Sequence, residues 1–262
     1  MGGMGLPGLW LFLALVIAAS VALAVGSVCL STTMAHRPGA KAESGSLSPF
    51  LTTVALVYGA LLGFTVVVAW EQFSSAEANV TNESSTLATM YRQTVSLPAP
   101  EQPTMRKLLR QYTAAVQAEW DSPGSAIASG AARAAITDMY RVLGNQQSPA
   151  VASNPINAEV RAQLNVLTSQ RNTRVLDTKP RIPGLLWGGL LFGGVLLIGL
   201  IGFNRLDNRR HHMILSSAIA VLLGLLLFLI FWLDHPFGRQ VGVTPASFDY
   251  TLQVFDGVDQ ET

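Results

Sequence analysis

The apolar residues of this chain are gathered into four uncharged runs. They extend from Leu9 to Leu30, from about Phe50 to Trp70, from about Ile182 to Phe203, and from Met213 to Leu233. Each approaches the ~20 residues with which a helix spans ~30 Å of hydrocarbon. None holds Asp, Glu, Lys, Arg or His in its interior. A core helix of a soluble protein is rarely apolar on every face for that length, so the pattern predicts four membrane-spanning helices. The first run lacks a positively charged leader and exceeds the ~7–15 residues of a signal-peptide core. It is therefore read as a retained helix.

The runs form two pairs. Ser31 to Pro49 joins the first pair, Asn204 to His212 joins the second, and a polar stretch from Glu71 to Arg181 separates them. No turn signal follows Trp70, which predicts that the second span continues as one helix from about Ser48 to Leu97. The prolines Pro98, Pro100 and Pro103 then break it. Three further helices fit. In Thr104 to Asp121, Leu108, Leu109, Tyr112, Val116 and Trp120 share one stripe, and Pro123-Gly124 closes it. In Ser125 to Leu143, Ala128, Ala132, Ile136, Met139 and Leu143 recur, with Gly144-Asn145 as a stop. In Asn157 to Asp177, Val160, Leu164, Leu167, Arg171 and Val175 follow the same period after Asn154-Pro155. The expected fold is an all-α membrane protein with two transmembrane helix pairs (1–70 and 182–233), a helical extramembrane insert (71–181) and an acidic tail (234–262). Thin, Ala-rich stripes suggest that the insert packs on neighbours, since small domains bury little surface alone.

Composition sharpens this reading. Only 13% of the 262 residues are charged, against roughly 25% in soluble domains. A net charge of +1 offers no excess with which to neutralise nucleic-acid phosphates. The single cysteine, Cys29, excludes an internal disulfide. Basic residues near the spans leave orientation undecided: Arg37, Lys41, Arg205, Arg209 and Arg210 oppose Arg171, Arg174, Lys179, Arg181 and Arg239. Four spans place both termini on the side of the insert.

Candidate chemistry is sparse. No H-E-x-x-H, G-x-S-x-G or P-loop pattern occurs. The histidines are His36, His211, His212 and His235, and the adjacent pair points ~100° apart on a helix, a poor chelating geometry. No catalytic residue, metal site or cofactor is expected. Asn79-Val80-Thr81 and Asn82-Glu83-Ser84 match glycosylation patterns but fall on the long helix. The spans lack the intramembrane charges of pumps and voltage sensors. Gly59 and Gly63 form G-x-x-x-G on the second span, and Gly184-Gly188 and Gly189-Gly193 do so on the third. Such spacing permits close helix approach, within one chain or between copies. Leu56, Ala60 and Phe64 share a face of the second span. A stripe of this kind faces lipid, packs, or lines an apolar pore.

The stretch Leu62-Gly63-Phe64-Thr65-Val66-Val67-Val68-Ala69-Trp70-Glu71-Gln72-Phe73 resembles the second-span region of bestrophins, where Gly-Phe precedes a β-branched run and an aromatic-Gln-aromatic exit. The closer likeness is to the bacterial bestrophin-like family, through Asn82-Glu83, Leu87 to Tyr91-Arg92, and the Asp-x-Pro-Phe of Asp234, Pro236 and Phe237. The resemblance covers about residues 5–257. It implies a pentameric passive anion channel in the bacterial inner membrane, with insert and termini cytoplasmic. Leu56, Ala60 and Phe64 would line the pore, and Gly59, Gly63, Gly188 and Gly193 would pack helices. Glu83 and Arg92 would contact neighbouring subunits. The expected partners are the lipid bilayer, copies of the chain and small anions. Ala60 is smaller than the aromatic expected there, and the Trp-Pro-Asp that follows the second span in bestrophins is missing. Two rivals remain: a non-conducting scaffold or sensor whose insert binds a partner, and an intramembrane enzyme with Asp234-His235 as its only candidate residues.

Overall fold

The computed structural model describes residues 6–35, 48–99, 101–121, 126–144, 155–203, 208–237 and 242–261. The regular structure among these residues is helical, with no strand. Among the described residues eight α-helices follow in order: α1 (Leu6–Ala35), α2 (Ser48–Gln93), α3 (Glu101–Asp121), α4 (Ala126–Gly144), α5 (Pro155–Asp177), α6 (Gly184–Phe203), α7 (Arg209–Leu233) and α8 (Ala246–Glu261). Four of them, α1, α2, α6 and α7, are long and apolar enough to cross a membrane. His36, Arg37, Lys41, Pro100, Pro123-Gly124, Asn145, Asn154, Arg205 and Arg239 lie outside the described residues, as does the side chain of Ala128.

The helices form two compact units. One comprises Met4–Phe73 and Pro180–His235. It contains α1, the first part of α2, α6 and α7. Its buried cluster includes Ala24, Tyr58, Leu62, Ala69, Leu190, Leu197, Ala220, Leu223 and Ile230. Small residues let α1 approach its partners closely. A Cβ built on Gly224 of α7 would lie 2.7 Å from Ser20 Oγ, and one on Gly202 of α6 would collide with Ser27. Both serines turn their hydroxyls back onto their own helix, to Val16 O (2.8 Å) and Ala24 O (2.8 Å), leaving no unsatisfied donor. Phe12 stacks at a tilt on Phe231, centroids 4.9 Å apart, and Phe73 lies on Trp232 at 5.2 Å.

The other unit comprises Ser74–Lys179 and Pro236–Thr262. Here α3 packs on α4, α4 on α5, and α8 on α3. The predicted stripes hold for α3 and for the described side chains of α4: Leu109, Tyr112, Val116, Ala132, Met139 and Leu143 are buried. In α5, Val160, Leu164, Leu167 and Arg171 are buried as expected, whereas Val175 is half-exposed and Arg174 faces inward.

Boundaries shift for local reasons. The helix α2 ends at Gln93 and tightens into a 3₁₀ turn, Thr94–Ser96, before Leu97 turns extended at φ −78°, ψ 144°. Leu97 precedes Pro98, whose ring disfavours helical geometry in its predecessor. The next helix begins three residues earlier than Thr104, because Pro103 sits in its first turn, where a missing N–H costs no bond. The segment Arg209–His212, expected as loop, is the first turn of α7, with Asn208 Oδ1 accepting from Arg210 N at 3.0 Å. The segment read as an acidic tail contains α8, with Phe248, Thr251 and Phe255 buried.

Candidate functional site

On α2 the sequence divides the helix lengthwise. Tyr58, Leu62 and Ala69 point into the unit's core, while Leu56 and Phe64 on the other side are 72% and 70% exposed. Ala60 and Val67 are exposed on that same free face. The three positions expected to line a pore therefore touch little of their own chain. The glycines divide too. A Cβ on Gly59, Gly63 or Gly188 would meet nothing within 4 Å among the described residues. A Cβ on Gly193 would lie 2.6 Å from the ring of Tyr58. This glycine lets the Tyr58 ring cross α6, where its hydroxyl donates to Leu190 O at 2.6 Å.

Asp234, at the C-terminal end of α7, is buried. Its Oδ1 accepts from the backbone N–H groups of Arg181 and Ile182, both at 3.0 Å, and Trp187 Nε1 lies 3.4 Å from Oδ2. The carboxylate thus ties the end of α7 to the chain entering α6. His235, its proposed catalytic companion, places Nδ1 3.0 Å from Phe231 O instead. Within the other unit, Pro236 O accepts from Val243 N at 2.9 Å. Phe237 meets the edge of Trp120 at 6.0 Å.

Glu83 is 0% exposed and faces its own bundle. Its partners among the described residues are on its own chain. Arg174 donates Nε to Glu83 Oε2 at 2.6 Å, and Tyr112 donates its hydroxyl to Oε1 at 2.5 Å. Arg174 also reaches Glu119 at 2.9 Å, Arg171 reaches the same carboxylate at 3.0 Å, and the Arg174 guanidinium lies 5.0 Å from the Trp120 ring centroid. Two acids and two guanidiniums thus neutralise one another in the interior. Burial and the adjacent Glu83 charge push the Tyr112 hydroxyl well above its usual range. Burial pulls Arg174 down, but the Glu83 charge outweighs it and holds the guanidinium above its ordinary value. Arg92, paired with Glu83 in the sequence motif, is exposed.

Tyr91 is the docking point of α8. Its ring stacks on Phe255 at 4.0 Å and 13°, and its hydroxyl donates to Asp259 at 2.7 Å. Arg106 and Arg110 reach Asp259 at 2.9 and 2.8 Å, and Arg110 reaches Asp256 at 2.7 Å. Partial burial raises the Asp259 carboxyl, but hydrogen bonds from Tyr91 and Arg110 outweigh it and leave it below its ordinary value. The sequence motif flagged Tyr91. The acids of α8 were visible only as a charge run.

The histidine pair does not converge: His212 is buried with Nε2 3.0 Å from Ile201 O, while His211 is exposed. Among the described residues, no three His, Cys, Asp or Glu side chains gather as metal ligands would.

These features define a class: a multi-pass α-helical membrane protein whose spans are tied at Asp234, with a second helical unit between and after them in sequence, braced by Glu83 and Tyr91. A bestrophin-like domain model matches residues 18–248, and the chain belongs to the bestrophin-like family. Similar solved structures include a bacterial bestrophin homologue from Klebsiella pneumoniae (TM-score 0.75, 15% identity, 94% of this chain and 98% of that one). A mutant of the Klebsiella pneumoniae homologue gives 0.76 at 14% identity, covering 96% and 98%. At such identities the likeness concerns the fold. No curated protein matches the chain.

Proposed function

We propose that copies of this chain assemble around the free face of α2 and that Leu56, Ala60 and Phe64 line a passive ion pore. The observation carrying this reading is the free face itself. Phe64 and Leu56 are exposed on a helix whose other side buries Tyr58, Leu62, Thr65 and Ala69. Lipid could cover an apolar face, but it gives no reason for Gly59 and Gly63 on its flank. Each glycine in a helix interior costs roughly 0.5–1 kcal/mol relative to Ala. Open space around both suits the close approach of another helix. The lack of charge within the spans favours passive conduction over an ion-coupled pump.

By resemblance the assembly is a pentamer in the bacterial inner membrane, with the insert and both termini cytoplasmic. Its expectation of anions rests on that resemblance alone. Native mass measurement in detergent should give five copies, and a reporter fused at Thr262 should mark the cytoplasmic side. The purified oligomer in salt-loaded liposomes should leak ions, and Phe64→Ala should change the leak. A folded oligomer that passes no ion would refute the pore.

A further inference from the structure

The helix α7 is longer than the hydrocarbon it crosses. Its stretch from Met213 to Leu233 already spans ~30 Å at ~1.5 Å per residue, the thickness of a bilayer's apolar layer. With Leu233 at one boundary, the turn before Met213 stands at headgroup depth at the other. That turn is Arg209-Arg210-His211-His212. His212 is buried and turned towards Ile201 O, whereas Arg209, Arg210 and His211 are exposed. Neither arginine forms an ion pair among the described residues. Arg209 reaches Cys29 Sγ at 3.6 Å, a weak acceptor. The connecting stretch 204–212 holds three arginines against one aspartate. Helix α7 itself does not account for these charges, because cations oppose the dipole at a helix N-terminus. Beyond them along the helix runs an uncharged face on which Leu215, Ile219, Leu222, Leu225 and Leu229 are exposed. Leu229 follows His211 by eighteen residues, five full turns, so the cationic end and the apolar stripe share one side of α7.

We infer that this side of α7 binds an anionic phospholipid, with the lipid phosphate against Arg209 and Arg210 and one acyl chain along Leu215 to Leu225. Guanidinium groups present the paired donors that fit a phosphate, and His211 adds a ring N–H beside them. One leaflet fills about half of the hydrocarbon, ~15 Å, which is the helical distance from Leu215 to Leu225. A zwitterionic headgroup brings its own cation and leaves the two arginines uncompensated. An anionic headgroup neutralises them at the depth where they stand. The apolar stripe that continues from the charges, in a layer where acyl chains are the solvent, commits the site to a lipid over a free anion. Nothing in this requires a pore, since the lipid site stands on the span of α7 alone.

The test is native mass spectrometry of the full chain released from detergent that holds equal amounts of phosphatidylglycerol and phosphatidylcholine with matched acyl chains. Wild type should retain phosphatidylglycerol over phosphatidylcholine by about fivefold or more, the scale of one basic residue at an anionic membrane surface. Arg209→Gln/Arg210→Gln should bring the ratio close to one at unchanged copy number. Arg210→Gln alone, a smaller change, should lower it in the same direction. Arg133→Gln/Arg141→Gln removes the same charge from exposed positions of α4 and should leave the ratio as in wild type. Equal retention of the two lipids by wild type overturns the inference. So does an equal fall in the α4 variant, which would reduce the preference to net charge. Displacement of phosphatidylglycerol by inorganic phosphate at matched concentration would assign the arginines to a free anion. A changed copy number in the α7 variants with the lipid ratio intact would assign the face to a neighbouring copy. Either result removes the lipid site.

Discussion

Replacing Arg174 with Met is expected to be among the most damaging single changes to the helical unit. The methionine keeps much of the apolar length of the side chain and removes the charge. It deletes the 2.6 Å bond to Glu83 Oε2, the 2.9 Å contact to Glu119, and the contact with Trp120. Glu83, with no solvent access, would retain only Tyr112 as a partner. Removing one member of a buried pair costs about 3–5 kcal/mol, mostly through the charge left behind. For a unit of this size each kcal/mol lowers the midpoint by about 3 °C, so a fall of roughly 10 °C is expected. Arg110 supplies the contrast. The side chains of its pairs with Asp256 and Asp259 are 35% to 61% exposed, where each pair is worth ~0.2–1 kcal/mol. Arg110→Met should therefore lower the midpoint by only a few degrees. Thermal unfolding in detergent, followed by helical circular dichroism, measures both. The double variant Glu83→Gln/Arg174→Met should recover part of the loss, because it removes the orphaned charge. Equal effects of Arg174→Met and Arg110→Met, or no recovery in the double variant, would refute the claim that burial decides the matter.

Glycine substitutions should separate packing within the chain from packing between copies. Gly193→Ala drives a methyl into the Tyr58 ring and should destabilise each protomer by about 1–3 kcal/mol, read as a lower melting midpoint. Gly59→Leu and Gly63→Leu meet open space in the protomer and should instead lower the oligomer mass in native spectrometry. Asp234→Asn keeps an acceptor for Arg181 and Ile182 but loses the charge. It should cost about 1 kcal/mol, and Asp234→Ala, which strands two donors, about 2–3 kcal/mol, both by thermal unfolding. Asp259 has a lowered carboxyl value, so the stability it lends to α8 is present above its ordinary value of 3.8 and is lost as pH falls through the lower folded value. Tyr112, raised above its ordinary 10.0, has the opposite sign: its contribution is present below pH 10.0 and declines as pH climbs further. Protease sensitivity of the C-terminal segment across an acid titration, and melting points across an alkaline one, should follow these two directions.

The spans were legible because hydrocarbon leaves little choice of composition, and uncharged runs of this length do little else. The stripes of α3 and α4 were legible because apolar spacing alone places Tyr112 and Met139 inward. Arg174 was not. Hydrophobic periodicity carried the stripe from Arg171 to the apolar Val175 four residues on, and passed over Arg174 at the equally compatible spacing of three. Arg174 enters because Glu83 and Glu119, far away in sequence, offer it two carboxylates. The same blindness hid α8. Its Asp256 and Asp259 read as a solvated acidic tail until Arg106, Arg110 and Tyr91 were seen to receive them. A charge pattern gives the sign of each residue but carries no information about the distant partner that neutralises it.

That distinction bears on the motif residues themselves. Glu83, Tyr91 and Asp234 stand out in the sequence as family marks, and the resemblance suggested a role for Glu83 at a subunit boundary. Each instead meets its partners inside one unit of its own chain: Arg174, Asp259, and the N–H groups of Arg181 and Ile182. Groups so fully engaged have no free valence for a moving ion, and their removal should read out in stability. Glu71 has the opposite character. It lies in the stretch that resembles the second-span region of bestrophins, forms no ion pair among the described residues, and is exposed on a face of α2 that its own unit leaves uncovered. Buried pairs such as Glu83 with Arg174 fix the scaffold, whereas an unpaired charge on an open face can act on something outside the protomer. The two sets of residues should therefore separate by assay: Arg174→Met should lower the melting midpoint, and Glu71→Gln should leave it nearly unchanged. If Glu71→Gln instead destabilised the protomer as Arg174→Met does, Glu71 would belong with the structural set.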